Sequence, residues 1–448
     1  MLYFIYCLVV IAITFKYSTA IFKVNKGSKM PDDLEQALAD VVNRPQENTE
    51  DPHLREKRLV MQAREGFVQS KDLESTLKEV TGHVVVPKGR YIVDFDIIVK
   101  SGAILEIEAG AEFYFGSEAG ILSYGVLKAK GTENLPILCT AYAKQDKNPF
   151  QRLFARGSWK NIALVGEGAE KSILSHVKVE KGTGRSKAQP YSLNDFHLPE
   201  DQRLGGGMMV VQCSPAIEEC NLEGNKAFAG GGLYVYKGNP KIMKSRFIRN
   251  IAVLDGGGIY LCQSDSEIVD CDVRSNKAIR MNGGGIYAVI TNLLVTQSRI
   301  YDNVCKEFGG GISINKSGGD IRNTIVRRNR ARHGSGGGIR LSDSTTTMTA
   351  NEISYNSTSG NGGGIDLSSS DCNLSHNQIF SNRAEIGGGI SFYRSNGSLS
   401  ENTVIGNKAT SQDPNRCGGG LYLQDSNPAV DKSNNILGDS PKNIIHDN

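Results

Sequence analysis

A glycine triplet repeats through the second half of this chain and constrains its architecture more than any other feature. Successive triplets begin 25 to 31 residues apart. A nearly fixed period in this range is typical of solenoid proteins, in which each repeat packs only against its neighbours. The triplets begin at Gly205, Gly230, Gly256, Gly283, Gly309, Gly336, Gly362, Gly387 and Gly418.

Two further signals recur with the triplet. The fourth residue counted from the first glycine is apolar in every repeat, and the sixth is mostly aliphatic, so each triplet opens a short strand with one buried face. Later in each repeat, an apolar residue is followed three positions on by asparagine. Asparagine tolerates a left-handed turn and, when stacked, can bond the backbone of the next coil. These asparagines are Asn225, Asn250, Asn276, Asn303, Asn329, Asn356, Asn382 and Asn407.

These motifs resemble those of a known fold family. GGGI followed by FIRN (Phe247–Asn250) or IFSN (Ile379–Asn382) is similar to the right-handed parallel β-helix repeat, and especially to the GGAI/FxxN repeats of polymorphic outer-membrane proteins. The earlier stretch GRYIVDFDIIVKSGAILEIEAGAEFYF resembles the opening coils of secreted pectin-lyase-like proteins. The resemblance covers residues 83–440. It implies an all-β, right-handed parallel β-helix solenoid with about 26 residues per coil.

The chain divides by composition into four segments. Residues 2–15 are apolar apart from one threonine and precede Ser18-Thr19-Ala20, which predicts a signal peptide over residues 1–20. Residues 21–80 predict a short α-helical cap or tether. Residues 81–204 predict opening coils with an inserted loop at 183–204, and residues 205–448 predict the regular repeats. We therefore expect a secreted or extracytoplasmic protein without an integral membrane segment after signal cleavage.

Tyrosines occupy the outward fifth position of three consecutive repeats. Tyr234, Tyr260 and Tyr287 are predicted to stack at coil spacing, with Tyr236 beside them. Sugar rings pack on such aromatic platforms, so these four residues are the candidate substrate-binding site. The alternative is a ladder that stabilises the sheet by packing between strands.

One repeat carries an acidic cluster, Asp265, Glu267, Asp270 and Asp272. Such carboxylates could hold Ca²⁺, and Arg274 or Arg299 could act as the base of a β-elimination. Basic residues in the preceding repeat offer a second interpretation, in which the charges pair between coils. No catalytic residue is assigned, no metal site is predicted from the scattered histidines, and no cofactor is expected other than Ca²⁺ if the chain is a lyase.

The remaining features bound the function only broadly. A net charge of +3 argues against nucleic acid as a partner. Asn315, Asn373 and Asn396 begin N-x-S/T sequons and are candidate glycosylation sites, whereas the sequon at Asn356 belongs to the asparagine ladder. Most cysteines are predicted to be small core residues, with one or two disulfides left open.

The predicted function is binding or scaffolding at a cell surface or in extracellular polysaccharide, with a polysaccharide or cell-surface glycan as partner. The alternative, implied by the pectin-lyase-like resemblance, is a polysaccharide lyase, hydrolase or epimerase. Charges that are neutralised in pairs between coils would favour the first interpretation. Acidic residues clustered with arginine beside the tyrosines would favour the second.

Overall fold

The chain winds into a parallel β-solenoid whose successive coils stack strand on strand. The computed structural model describes residues 66–142, 157–186, 203–413 and 417–447. Three long sheets of 14, 13 and 14 strands enclose the core, and an eight-stranded sheet of two-residue strands joins them in the second half. The predicted all-β parallel solenoid is therefore confirmed.

Sheet 1 contains the strands that follow the glycine triplets. Its strands are Glu79–Val80, Asp96–Val99, Gly120–Ser123, Ile162–Val165, Met208–Val211, Leu233–Tyr236, Ile259–Cys262, Ile286–Val289, Ile312–Asn315, Ile339–Ser342, Ile365–Ser368, Ile390–Tyr393, Gly418–Gln424 and Lys442–Asp447. Sheet 2 follows sheet 1 in each coil. Its strands are His83–Val86, Ile104–Ile107, Val126–Lys130, Ile173–Ser175, Ala216–Glu218, Lys241–Met243, Glu267–Val269, Asn292–Thr296, Gly318–Arg322, Thr345–Thr349, Asp371–Ser375, Gly397–Ser400 and Ala429–Val430.

Sheet 3 carries the apolar residues that precede the asparagines. Its strands are Phe67–Val68, Arg90–Val93, Glu112–Phe115, Ile137–Ala141, Val177–Glu180, Asn221–Glu223, Arg246–Ile248, Asp272–Arg274, Arg299–Tyr301, Ile325–Arg327, Glu352–Ser354, Gln378–Phe380, Thr403–Ile405 and Asn435–Leu437. Sheet 4 leads back towards the next triplet. Its strands are Lys226–Ala227, Ile251–Ala252, Lys277–Ala278, Val304–Cys305, Arg330–Ala331, Ser357–Thr358, Arg383–Ala384 and Lys408–Ala409.

Three tight corners separate the sheets, and each is built on one residue with a positive φ. In the coil that starts at Gly256 these residues are Gln263 (φ 50°), Asp270 (φ 53°) and Ser275 (φ 56°). We number the corners 1 to 3 in that order. A small or polar residue that points inward follows each of them, here Ser264, Cys271 and Asn276, and all three are buried. The chain therefore turns in one residue at each corner, which keeps the coils short and identical.

The predicted asparagine ladder lies at corner 3, and Asn276 shows its geometry. Its Oδ1 accepts hydrogen bonds from the backbone N–H of Asn250 (2.9 Å) and from Nδ2 of Asn250 (3.1 Å). Its Nδ2 donates to the carbonyl of Phe247 (2.8 Å) and to Oδ1 of Asn303 (3.0 Å). Each amide thus satisfies two buried backbone groups of the preceding coil and bonds the asparagine of the next, which is why the position does not vary across eight repeats.

The glycine triplets are required where sheet 4 meets sheet 1. Gly256 adopts φ +65°, a conformation that glycine reaches at no steric cost. A Cβ on Gly257 would lie 2.3 Å from the carbonyl oxygen of Gly284, in the triplet of the next coil. The first glycine therefore makes the turn, and the second allows the coils to approach.

The core is one continuous column of aliphatic side chains with an aromatic stack near its start. The Trp159 ring lies 4.6 Å from that of Phe115, and its Nε1 donates to the Glu180 carbonyl at 2.7 Å. All eight described cysteines are free and buried, so they serve as small core residues as predicted, and no disulfide forms among them. Burial raises the pKa of Cys271 to about 12, which keeps this thiol protonated and unreactive at neutral pH.

The predicted cap and insertions are described only in part. The helix Ser70–Leu77 lies in the predicted helical segment 21–80, and strands Phe67–Val68 and Glu79–Val80 flank it, so the first coil begins inside that segment. The signal peptide, residues 21–65 of the helical segment and residues 187–202 of the inserted loop lie outside the described residues. The ends of that loop pair as an antiparallel hairpin, Arg185–Ser186 with Arg203–Leu204. In the described ranges, no helix is long and apolar enough to span a membrane.

The ladder predicts a large difference between a buried and an exposed asparagine. Replacing Asn276 by Ala should lower the free energy of unfolding by about 1–3 kcal/mol, because the buried Asn250 N–H and Phe247 carbonyl of the preceding coil lose their partner. Asn435→Ala is the matched control, since Asn435 is exposed at the surface of sheet 3, and it should change stability by less than roughly 0.5 kcal/mol. Chemical denaturation of both variants makes the comparison. Equal stabilities would contradict a structural role for the ladder.

The last rung of the ladder is an aspartate and predicts a pH-dependent stability. Burial raises the pKa of Asp439 to about 6, although its Oδ1 accepts from Asn407 N–H at 2.7 Å. Because the folded-state pKa lies above the unfolded value of 3.8, this contribution to stability is fully present below that value and is lost as the pH rises through about 6. Asp439→Asn should therefore stabilise the protein at pH 7.5, by about 1–2 kcal/mol after allowing for solvent screening.

Thermal melts of Asp439→Asn and the wild type at pH 4 and pH 7.5 test this expectation. The gain should be small at pH 4, where the folded carboxyl is protonated and the unfolded one is only about half ionised. Asp255, whose pKa burial raises to about 7, is present in both proteins and cancels in the comparison. A gain of the same size at both pH values would show that the charge of Asp439 is not the cause.

Candidate functional site

The four predicted tyrosines lie on the outer side of sheet 1, and three of them form a stack. The ring centroids of Tyr234 and Tyr260 are 5.0 Å apart with the planes 16° from parallel. Those of Tyr260 and Tyr287 are 5.2 Å apart at 39°. Tyr236 lies two residues further along the Tyr234 strand, with the Lys237 ammonium 5.1 Å from its ring centroid. The predicted stacking on successive coils is therefore present.

The tyrosine rings are not exposed to solvent as a binding platform would require. Tyr234 is 1% exposed, Tyr236 3% and Tyr260 7%, while Tyr287 is half-buried. One reason is the path of the glycine triplet, since a Cβ on Gly230 would lie 2.9 Å from the Cβ of Tyr234. The turn into each strand thus passes over the outward fifth position and covers it. The buried rings are positioned to stabilise the sheet by packing between strands. Sugar binding by Tyr234, Tyr236, Tyr260 and Tyr287 stays a prediction.

Two of the four carboxylates in the acidic cluster form ion pairs with basic residues of neighbouring coils. Asp272 lies 3.6 Å from Arg299 on the next coil and 3.7 Å from Arg274 on its own strand. Glu267 lies 3.5 Å from Lys241 on the preceding coil. Asp265 uses Oδ1 to accept the backbone N–H of Asn292 at 2.7 Å. The two arginines proposed as a base are thus charge partners of a carboxylate, which agrees with pairing between coils.

The carboxylates of the acidic cluster are not arranged as a set of metal ligands. Within the described ranges, no group of three or more histidine, cysteine, aspartate or glutamate side chains could hold a metal ion. The Ca²⁺ that a lyase would use therefore stays an expectation from sequence.

A second acidic group, beyond the cluster, lies on the outer side of sheet 1. Asp366 is 1% exposed and forms an ion pair with Arg340 on the preceding coil. The Arg340 guanidinium also lies 5.0 Å from the ring centroid of Phe308. This is one carboxylate held by one arginine. Glycoside hydrolysis ordinarily requires two carboxyl groups on either side of the bond, so the pair does not by itself make a hydrolase site.

Among the described residues, the aromatic side chain with the largest exposed fraction lies at corner 3. Tyr355 occupies the positive-φ position of that corner (φ 55°) and is 48% exposed. The Phe380 ring meets it edge-on, with centroids 5.7 Å apart at 82°. The Arg327 guanidinium lies 4.9 Å from the Tyr355 ring centroid.

Basic side chains border these rings on sheet 4. Exposed Arg330, Arg383 and Lys408 lie in one column, in which Ser357 takes the place between Arg330 and Arg383. We call this surface the corner-3 ridge, defined by Arg327, Arg330, Tyr355, Phe380, Arg383 and Lys408.

The sequence did not identify the ridge, although a signal for it was present. When the repeats are aligned on the ladder asparagine instead of the first glycine, the residue before it is Arg249, Ser275, Asp302, Arg328, Tyr355 and Ser381 in successive repeats. These residues hold the positive-φ corner, where a bulky aromatic side chain is rare. An aromatic residue at that site therefore indicates a surface role.

The sequons fall on different surfaces. Asn373 and Asn396 are exposed, on sheet 2 and at its edge, and Asn315 is half-buried with an Oδ1 that has no hydrogen-bond partner. Asn356 is 1% exposed, and its Nδ2 donates to the Val326 carbonyl at 2.8 Å, as its place in the ladder requires. Glycosylation at Asn315, Asn373 and Asn396 stays a prediction.

Comparison with protein families agrees with this geometry. Residues 257–437 match the family model for a right handed beta helix region. The matched coils are a right-handed parallel β-helix. The earlier coils continue the same three long sheets, so the β-helix extends from the first coil to the last.

Individual similar proteins are distant or cover little of either chain. Metabotropic glutamate receptor-like protein R of Dictyostelium discoideum is 35% identical over 86 residues, which is 19% of this chain and only 5% of that protein. The periplasmic alginate epimerase AlgG is 14% identical with a TM-score of 0.44, covering 82% of this chain and 84% of that chain.

Two further solved β-helices are more remote. A GH87 α-1,3-glucanase of Streptomyces thermodiastaticus is 10% identical with a TM-score of 0.31, covering 85% and 64%. The Streptococcus pneumoniae surface protein and adhesin PfbA is 12% identical with a TM-score of 0.28, covering 82% and 92%. The activities in these names belong to those proteins.

The burial of the tyrosine stack predicts a stability defect. Tyr260→Ala should lower the free energy of unfolding of the β-helix by about 2–4 kcal/mol, because a buried aromatic ring and its two stacking contacts are lost. Polysaccharide binding should not change. Tyr355→Asn is the control, since it removes an exposed ring, and it should cost less than about 1 kcal/mol. If Tyr260→Ala had wild-type stability but bound polysaccharide more weakly, the binding site would lie at the tyrosines of sheet 1.

Proposed function

We propose that this protein is an extracytoplasmic β-helix that binds a polysaccharide along the corner-3 ridge. The observation that carries the proposal is the exposed ring of Tyr355, which Phe380 and Arg327 hold in place. Extracytoplasmic location rests on the apolar run and small-residue cleavage pattern of residues 1–20.

The ridge has the physical properties of a sugar-binding platform. An exposed aromatic ring offers its face to the C–H groups of a sugar, and it loses little conformational entropy when a ligand binds. Here the ring is fixed further, because the backbone of Tyr355 is anchored by the next residue, the ladder asparagine Asn356, and the ring packs against Phe380 and Arg327. Preorganisation of this kind lowers the cost of binding.

A binding and scaffolding role fits the charges better than catalysis does. Two of the carboxylates considered above are held by arginines. Asp272 on sheet 3 pairs with Arg299. Asp366 on sheet 1 pairs with Arg340. A general acid or base needs a proton-accepting site that is free to react with substrate. The lyase, hydrolase or epimerase alternative therefore has less support, and an assay of polymer degradation or epimerisation alongside binding would detect it.

The proposal is tested by removing the ring without straining the corner. Tyr355→Asn is suited to this, because asparagine tolerates the positive φ that alanine does not. We expect wild-type protein to bind at least one extracellular polysaccharide on a broad array and the variant to bind it roughly fivefold more weakly, corresponding to about 1 kcal/mol.

Tyr393→Asn provides the matched control for this experiment. Tyr393 lies on sheet 1 with the Arg394 guanidinium 5.0 Å from its ring centroid, so it is the same aromatic–arginine pair on another face of the β-helix. This variant should bind like the wild type. Equal binding by all three proteins would remove the ridge as the site, and a wild type that binds no polysaccharide would remove the function.

A further inference from the structure

The corner-3 ridge carries positive charge that the protein does not neutralise. Among the described residues, no carboxylate forms an ion pair with Arg327, Arg330, Arg383 or Lys408. The neighbouring Arg328 shows the contrast, because its Nε and Nη2 are bonded to Asp302 at 2.8 and 3.0 Å. Lys241 and Arg299, on other outer faces, are likewise paired with carboxylates.

These charges have a fixed spacing set by the coils. Arg330, Ser357, Arg383 and Lys408 are successive partners in the parallel register of sheet 4. With about 4.8 Å between strands, the column from Arg330 to Lys408 extends roughly 14 Å along the solenoid axis. Tyr355 and Phe380 lie beside the middle of the column, at the corner and on the adjoining strand of sheet 3.

Acidic side chains do little to cancel this charge. Glu352 lies at the opposite end of its sheet 3 strand, where it accepts a hydrogen bond from Ser354 at 2.7 Å, and Glu385 follows Arg383 by two residues. Arg327 also has a buried Nε without a hydrogen-bond partner. The ridge therefore combines an aromatic platform with a row of free cations.

Resting on the proposed function, we infer that the ligand is an acidic polysaccharide, one with carboxylate or sulfate groups on its sugar residues, whose chain runs along the solenoid axis. The rings pack against the sugars, and the basic column pairs with anionic groups at intervals of one or two coils. Because Arg330, Arg383 and Lys408 are solvent-exposed, their contribution weakens as salt is added.

The decisive comparison uses one polymer in two forms. A polyuronate is compared with the neutral polymer made by reducing its carboxyl groups to alcohols, with binding measured by calorimetry between roughly 50 and 200 mM salt. We expect the wild type to bind the polyuronate at least about tenfold more tightly at the lower salt concentration, a difference of about 1.4 kcal/mol. Affinity for the polyuronate should fall with salt, and affinity for the neutral polymer should not.

Charge variants then assign the effect to the ridge. The double variant Arg383→Gln/Lys408→Gln should weaken polyuronate binding about fivefold or more and reduce the log–log salt slope by about 1 to 2. Its affinity for the neutral polymer should be unchanged. The control Lys241→Gln/Lys244→Gln removes the same charge from sheet 2 and corner 2, and it should bind both polymers like the wild type.

Oligouronates of increasing length test the direction of the chain. Affinity should rise until an oligomer reaches about three to four sugars, the length that spans the ~14 Å column at coil spacing, and Lys408→Gln should matter only for the longer ones. A response to Lys408→Gln by the shortest oligomers that bind would overturn the axial placement.

The outcomes separate this inference from the function beneath it. Equal, salt-independent binding of acidic and neutral polymers, weakened by Tyr355→Asn, would retain polysaccharide binding and overturn the acidic preference. Binding of neither polymer would overturn both. Binding of double-stranded DNA as tightly as the polyuronate, with the same dependence on Arg383 and Lys408, would show a general polyanion site and overturn the assignment to sugar.

Discussion

Hydrogen bonding between successive coils at corner 3 is the interaction on which the rest of this structure depends. Each ladder asparagine ties the backbone of its own coil to those before and after it, as Asn276 does with Phe247, Asn250 and Asn303. Because the amide is buried, a shift of one coil against the next at this corner would leave several polar groups unsatisfied. The triplet glycines add the second constraint, since only residues without a Cβ fit where the coils approach most closely. Together they fix the coil spacing, and every column of side chains follows.

This dependence explains why the fold could be predicted from the sequence in detail. Glycine and asparagine recur for reasons that are local and identical in every coil, so their spacing alone gave the coil length, the strand positions and the inward columns. The register also allows ion pairs to be predicted from the sequence, because partners such as Asp302 and Arg328 are one repeat apart. The prediction of pairing between coils around Asp272 succeeded for this reason.

The candidate site could not be predicted in the same way, because exposure depends on how the connecting turns pass over a strand. Period-two alternation correctly placed Tyr234 and Tyr260 on the outer side of sheet 1, but it carried no information about the turn that covers them. At corner 3, by contrast, an exposed tyrosine was not predicted as a site. Tyr355 precedes a ladder asparagine at a position that varies among repeats, so it had no apparent role until its exposure was known. A repeat alignment shows which residues are constrained by packing and leaves the free surface unspecified.

That freedom is what allows a uniform solenoid to carry a specific surface. The positive-φ position of corner 3 can be occupied by any residue that adopts this conformation with tolerable strain. In the middle of the β-helix, Arg328 and Tyr355 occupy it in successive coils. Placing a tyrosine there costs backbone energy that a glycine or asparagine would not. The ladder can carry that cost because the backbone on either side is already fixed by the coils above and below. The backbone rigidity that the stacked coils impose is therefore also what holds an exposed ring and a row of unpaired cations at spacings set by the coils. A polymer with repeating charges is the kind of partner that such a regular array matches.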